Sequence, residues 1–360
     1  MSLDQFKLLL NEVIQNQLSD LHISTGMVPY IRTKEGEIVP IDKFEVVSLD
    51  LMREIASFTL PADRRGAWPT EKELDASFEF SGQRFRVNAY YETRGPSLAI
   101  RMIRKDIETP EALGIPEAFI NLFTRKQGLI LVTGPTGSGK TTALASLVEK
   151  INRERRTHIL TIEDPIEFVF ESKLSLVHQR EISTHTHNFA KAIRSSLRED
   201  PDVVMIGEMR DPETMAAAIT LAETGHLVVS TLHTNDTVQA IDRIVDSFPP
   251  ASQAQIRVQL AMSLSGIMSQ SLLMRKNGKG RVAAREVLIN NDGIRSLIIR
   301  GMTHQIYSMI ELSSEEGMFL MDKSLESLYL SGMISQEVFF SRVRDKDVVQ
   351  VHLDRVGVKK

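Results

Sequence analysis

Apolar residues near the N-terminus (Leu3, Phe6, Leu9, Leu10, Val13 and Ile14) fall on the spacing of one helix face, predicting a helix over residues 1–18. The pattern then shifts to short strand-like segments. Residues 28–33 and 37–41 flank Glu35-Gly36, and residues 76–80 and 84–91 flank Ser81-Gly82. Both are hairpin signals, and residues 97–103 supply a further strand. Residues 1–104 are therefore expected to form a small α+β domain. Pro110, Gly114 and Pro116 interrupt residues 105–117, which suits a linker.

Beyond the linker the pattern changes again. Residues 129–133, 158–162, 203–206 and 227–231 are nearly continuous apolar runs, as parallel strands covered on both faces require. Helical spacing fills 140–153, 188–198 and 212–223, the last opened by Asp211 as cap and Pro212 at the first helical position. The alternation predicts a mostly parallel α/β sheet. Residues 236–272 and 313–345 read as helical. The uncharged stretch 258–274 contains Gln259, Ser263, Ser265, Ser269, Gln270 and Ser271. It is expected to be a buried amphipathic helix, not a membrane span.

Composition narrows the chemistry. The 360 residues are 42% hydrophobic and 25% charged, as in ordinary globular domains. The absence of cysteine excludes disulfides, Fe–S clusters and thiol nucleophiles. With 43 basic and 47 acidic residues, net charge −4, the chain has no global basic field for nucleic acid. The N-terminus lacks the pattern of a secretory signal, so a cytoplasmic protein without a transmembrane segment is expected.

The strongest motif is Gly134-Pro135-Thr136-Gly137-Ser138-Gly139-Lys140-Thr141-Thr142, directly after an apolar strand and before a helix. Glycines let backbone N–H groups turn inward around a triphosphate, and the helix adds its positive end. Lys140 is placed to reach the β- and γ-phosphates, and Thr141 to offer its hydroxyl to Mg²⁺. ATP and Mg²⁺ are thus the expected ligands.

Other polar groups close the neighbouring strands. The run 203–206 is followed by Gly207-Glu208, with Asp202 at its opposite end. Glu208, at a C-terminal strand edge, is the candidate general base. The run 158–162 ends in Glu163-Asp164, and either acid could complete the metal and water environment. His226 and His233 stand at opposite ends of the 227–231 strand, and His233 is at the edge facing the phosphates. His185 and His187 have no further metal ligands in sequence and read as a solvated loop.

These motifs, in this order, make the chain similar to the secretion-type ATPases, and most of all to their PilT-type branch, the type IV pilus retraction (twitching motility) ATPases. The likeness rests on SDLHIST, FRVNAYYETRG, the phosphate loop, TIEDPIEF, RSSLREDPDVVMIGEMRD, ETGHLVVSTLHTN, RIVDSFPP and THQIYSMIE. It implies a PAS-like N-terminal domain over 1–104, a 105–117 linker, and a RecA-like P-loop ATPase domain over 118–360 with C-terminal helices from about 290. It implies Glu208 as the catalytic glutamate, Glu163 as the acidic-box glutamate, and His226 and His233 as box histidines. It also implies N-terminal arginines that reach the nucleotide; by position these are Arg86, Arg94 and Arg101.

The resemblance further implies a homohexameric motor at the cytoplasmic face of the inner membrane, acting on a membrane-embedded platform protein to retract pilin. A cysteine-bearing metal finger, frequent in assembly ATPases, has no counterpart in MRKNGKGRVAAREVL. The retraction branch's AIRNLIRE sequence becomes Gly293-Ile294-Arg295-Ser296-Leu297-Ile298-Ile299-Arg300. Both a main motor and an accessory paralogue that works with a second retraction ATPase fit that sequence. An assembly or type II secretion ATPase is the nearest rival. A nucleic-acid translocase and a non-hydrolysing ATP-binding regulator are the alternatives from other classes.

Overall fold

The computed structural model describes residues 1–33, 37–103, 106–344 and 346. The turn expected at Glu35-Gly36, the junction at 104–105 and the end of the helical region expected over 313–345 lie outside the described residues. Two compact units emerge: Met1–Asp106 with Pro165–Val169, and Ile107–Asp164 with Phe170–Lys360.

In the N-terminal unit, Ser2 caps the Leu3–Asn16 helix through a reciprocal box with Gln5. Six strands follow: β1 (Asp20–Ser24), β2 (Tyr30–Arg32), β3 (Ile38–Pro40), β4 (Glu73–Phe80), β5 (Gln83–Glu92) and β6 (Gly95–Met102). They form an antiparallel sheet in the order β3-β2-β1-β6-β5-β4. Ser81 and Gly82 join β4 to β5 with φ of 50° and 70°, the left-handed pair that a two-residue hairpin needs. Along β5, Phe85, Val87 and Ala89 point inward and alternate with Arg86, Asn88 and Tyr90. The inward face joins Phe6, Leu9, Leu10 and Val13 of the first helix, and Met52 and Ile55 of a Leu49–Thr59 helix, in one core. That second helix and β1 were not among the predicted elements. Yet Ser48 as cap, with Leu51, Met52, Ile55 and Ala56 at helical spacing, carried the signal.

The second unit holds β7 (Gly128–Thr133), β8 (His158–Glu163), β9 (Leu176–Glu181), β10 (Val203–Ile206), β11 (Leu227–Leu232), β12 (Leu264–Met274) and β13 (Arg281–Ile289). Their order is β13-β12-β7-β11-β10-β8-β9. All pairs are parallel except β12 with β13. The predicted strands and the helices Lys140–Glu154, Phe189–Ser196 and Pro212–Glu223 are all present. β7, β10 and β11 are buried along their whole length, which explains their unbroken apolar character.

One expectation fails. The stretch 258–274 is not a single helix: the Pro250–Ser263 helix ends and β12 begins at Leu264. Strands flank β12 on both sides, and it is buried from Leu264 to Gln270. A strand covered on both faces shows no alternation, so its apolar run is indistinguishable by period from a buried helix. β9 and β13 also lay outside the predicted set. Residues 106–116 contain no helix or strand. They are nonetheless fastened to the second unit, since Ser146 Oγ donates to the Glu108 carbonyl and Arg285 to those of Leu113 and Gly114. Further helices run over Asp292–Arg300, Ile306–Leu312, Met321–Leu330 and Gln336–Arg342. Among the described residues, no helix is long and apolar enough to cross a membrane.

Candidate active site

The parallel register sets the site. β7, β11, β10 and β8 are consecutive neighbours, and each ends in a candidate group. The phosphate loop follows β7, His233 follows β11, Glu208 follows β10, and Glu163 closes β8. Strands lie about 4.8 Å apart, so these groups share one crevice about 15 Å wide at the carboxyl ends of the strands.

The loop is built for close backbone approach. Gly134 has φ 145°, and a Cβ there would lie 2.2 Å from the Gln270 carbonyl oxygen and 2.6 Å from Ser138 Oγ. No other residue fits. Gly139 caps the Lys140–Glu154 helix without a side chain, so its first N–H groups are not claimed by a capping oxygen. Among the described residues, Ser138 Oγ is buried without a hydrogen-bond partner. The Lys140 ammonium is buried and donates to the Gly134 and Pro135 carbonyls at 2.8 and 2.9 Å, which holds its charge over the loop. Unclaimed N–H groups, an orphan hydroxyl and a fixed cation are the donor set that a polyphosphate satisfies.

Glu208 is clamped from two sides. His233 Nε2 lies 3.2 Å from its Oε2, and an Arg210 guanidinium nitrogen 2.6 Å from its Oε1. The Glu208 carboxylate is mostly enclosed, whereas His233 and Arg210 are largely open to solvent. Glu163 is buried and accepts hydrogen bonds from Thr161 Oγ1 at 2.6 Å and Gln179 Nε2 at 3.1 Å. Thr231 Oγ1 donates to the Gly207 carbonyl at 2.7 Å, tying the Glu208 loop to β11.

The structure thus brings the phosphate loop, His233, Glu208 and Glu163 to one edge. It sets His226 apart, at the amino end of β11, where its Nδ1 lies 3.1 Å from the Leu221 carbonyl. Arg86, Arg94 and Arg101 belong to the N-terminal unit, and each faces an acid there. Arg86 and Arg101 are direct cross-strand partners on the outward face of β5 and β6. Asp20 takes Arg101 at 2.6 Å and Arg32 at 3.4 Å, Asp75 lies 3.5 Å from Arg86, and Glu92 lies 3.1 Å from Arg94. His185 Nδ1 accepts from the Glu181 N–H at 3.0 Å. Among the described residues, no group of three or more His, Cys, Asp or Glu side chains could hold a metal ion.

Sequence reasoning passed over three supporting residues. Arg210 was visible two positions after Glu208, but its pairing depends on how the chain turns after β10. Gln270 and Arg285 gave no motif signal at all. Gln270 Nε2 donates to the Ser138 carbonyl at 2.7 Å, and its Oε1 accepts from Arg285 Nε at 2.8 Å. Arg285 also donates to the Leu113 and Gly114 carbonyls, each at 2.7 Å. A buried relay therefore runs from the phosphate loop through β12 and β13 to the 106–116 segment. Burial pushes the Arg285 guanidinium down to about 10.

Comparison with known proteins identifies the family and the fold. The family described as Type II/IV secretion system protein matches residues 4–329. The chain is 45% identical to the type IV pilus retractation ATPase PilT of Pseudomonas aeruginosa, over 89% of this chain and 92% of that one. It is 46% identical to a twitching motility protein of Neisseria gonorrhoeae, over 79% and 76% of the two chains. A crystal structure of the pilus retraction motor PilT with bound ADP superposes with a TM-score of 0.89 at 40% identity, covering 96% of this chain and 98% of that one. The two-part architecture is accordingly an N-terminal domain followed by a RecA-like ATPase domain. The chain belongs to the Type II/IV secretion system protein family, and within it to the PilT-type retraction ATPases.

Proposed function

We propose that this chain hydrolyses ATP at the 134–142 loop and uses the energy to retract a type IV pilus. One observation carries the assignment of roles: Glu208 is held by His233 and Arg210 at the strand end next but one to the phosphate loop. Loop N–H groups and Lys140 bind the β- and γ-phosphates. Mg²⁺, when bound, would neutralise phosphate charge, with the Thr141 hydroxyl and the Glu163 carboxylate as its protein-side neighbours. Glu208 accepts a proton from the attacking water as its oxygen bonds to the γ-phosphorus and ADP leaves. His233 keeps the carboxylate oriented and responds to the γ-phosphate. His226 serves β11 from its far end. Arg86, Arg94 and Arg101 are the candidates to approach a nucleotide and stabilise charge as it transfers.

The working form in this proposal is a homohexamer at the cytoplasmic face of the inner membrane, driving a membrane-embedded platform protein. The surface that departs from the retraction pattern is the end of the Asp292–Arg300 helix, where Ile299 is 42% exposed. A role beside a second retraction ATPase would use that surface. The decisive experiment is Glu208→Gln. ATP binding should persist while turnover falls at least about 100-fold. Hydrolysis at the normal rate would remove Glu208 from the reaction. Deletion in the native cell should leave excess, immobile pili; bald cells would indicate assembly instead.

A further inference from the structure

Gln270 meets the phosphate loop at both of its ends. Its backbone oxygen lies against Gly134, where a Cβ would come within 2.2 Å, and its amide nitrogen lies 3.0 Å from the Cβ position of Gly139. The loop between those glycines cannot change shape without displacing Gln270. The Gln270 side-chain oxygen is held by Arg285, whose terminal nitrogens reach away from the site to the Gly114 and Leu113 carbonyls. Those carbonyls end a single helical turn. The Ile115 N–H donates to the Pro110 carbonyl and the Gly114 N–H to that of Glu111, and Gly114 has φ 65°, the pattern that closes a helix. Carbonyls at such an end have no following backbone donors and need a side chain or water instead. Arg285, only 7% exposed, supplies the donors. The chain enters this segment directly from the first stretch of the N-terminal unit, which ends at Asp106.

At the phosphate loop this relay responds to a ligand for a covalent reason. The Ser138 carbonyl, which accepts from Gln270 Nε2, and the Gly139 N–H are opposite sides of one planar peptide group. A phosphate oxygen that accepts from this N–H polarises the peptide and strengthens the bond accepted by its carbonyl. Gln270 is then held more firmly, and so is the bond it accepts from Arg285. We propose that Arg285 is a positioning residue that couples phosphate binding in the 134–142 loop to order in the 107–116 segment. The inference rests on the nucleotide site proposed above. Coupling is reciprocal, so the ordered segment raises nucleotide affinity by the same factor by which nucleotide orders the segment. A separate tie, from Ser146 Oγ to the Glu108 carbonyl, fixes the start of the segment to the Lys140–Glu154 helix and does not pass through Gln270.

Amide hydrogen exchange of the full chain, read by mass spectrometry with and without saturating Mg²⁺ and ADP, tests this at residues 112–115. ADP should slow exchange there at least about fivefold. In Arg285→Met, which keeps an unbranched side chain but no donors, the ADP effect should vanish even when ADP is raised until it saturates the loop. Its ADP affinity should fall by about the factor by which that protection was lost. Gln270→Glu separates coupling from packing, because the carboxylate still pairs with Arg285 but cannot donate to the Ser138 carbonyl. Exchange at 112–115 without ADP should match the parent, and the ADP effect should again be lost. Ser146→Ala should keep the ADP effect. ADP that binds the parent without slowing exchange would refute the coupling and leave the ATPase reading intact; absence of ADP binding would refute both. Protection that survives in Gln270→Glu would mean that the nucleotide covers the segment itself. Protection lost in Ser146→Ala would route the signal along the helix. Either result overturns the proposal, even if Arg285→Met failed to fold.

Discussion

Replacing Gln270 with methionine would cut the relay behind the phosphate loop while keeping chain length and most of the volume. Gln270 is 3% exposed and makes one hydrogen bond in each direction, to the Ser138 carbonyl at 2.7 Å and from Arg285 Nε at 2.8 Å. The neutral bond is worth about 1 kcal/mol and the charge-assisted one about 2 kcal/mol. Burying a thioether in place of an amide returns about 1 kcal/mol. The net loss is therefore about 2 kcal/mol. With a urea m-value of about 2 kcal/mol/M, the unfolding midpoint should fall by about 1 M. The functional effect should exceed the structural one. Ser138 sits inside the loop that grips phosphate, and misplacement by about 1 Å can cost about 100-fold in rate. Turnover should drop at least about tenfold under conditions where the variant is fully folded. A midpoint within about 0.2 M of the parent, together with unchanged kcat/KM, would show that neither bond supports the loop.

Other consequences can be checked by similar means. Gly134→Ala places a methyl 2.2 Å from the Gln270 backbone oxygen at φ 145°, so the loop must shift. A cost of about 3 kcal/mol or more and loss of binding to a fluorescent ATP analogue are expected. Asp20 and Glu286 should give pH profiles of opposite sign. Burial raises the Asp20 carboxyl, but hydrogen bonds from Arg101 and Ser19 and the charges of Arg101 and Arg32 outweigh it and hold the group below 3.8. Its stabilisation is present above that value and lost as pH falls through the folded pKa. Asp20→Asn should then cost about 1 kcal/mol at neutral pH, given the solvent screening of Arg101, and nothing in strong acid. Burial dominates at Glu286, and the hydrogen bonds from Thr237 and Met321 offset only part of it, so its pKa stands above 4.5. Its contribution is fully present below that value and declines as pH rises through the folded pKa. The stability of Glu286→Gln relative to the parent should therefore climb with pH in urea titrations; a flat difference would contradict the assignment.

Much of this protein was legible along the chain. The phosphate loop is local: its glycines, Lys140 and Thr141 are contiguous and sit between a strand and a helix, so spacing alone defines the chemistry. The β7, β8, β10 and β11 strands were equally plain, because burial on both faces leaves an unbroken apolar run. Their parallel direction also followed, since each returns through a helix. Glu208, Glu163 and His233 could be placed at strand ends for the same reason. What the chain order could not supply was lateral contact. The neighbour order β7-β11-β10-β8 decides which strand ends meet, and it differs from chain order. Arg210 on Glu208, and Gln270 under Ser138, are pairings across the fold between residues that carry no motif. The β12 strand was mistaken for helix because its neighbours on both sides, not its own period, determine its conformation. Local spacing determines what a segment can do; burial and pairing between distant segments decide which of those options the folded chain takes.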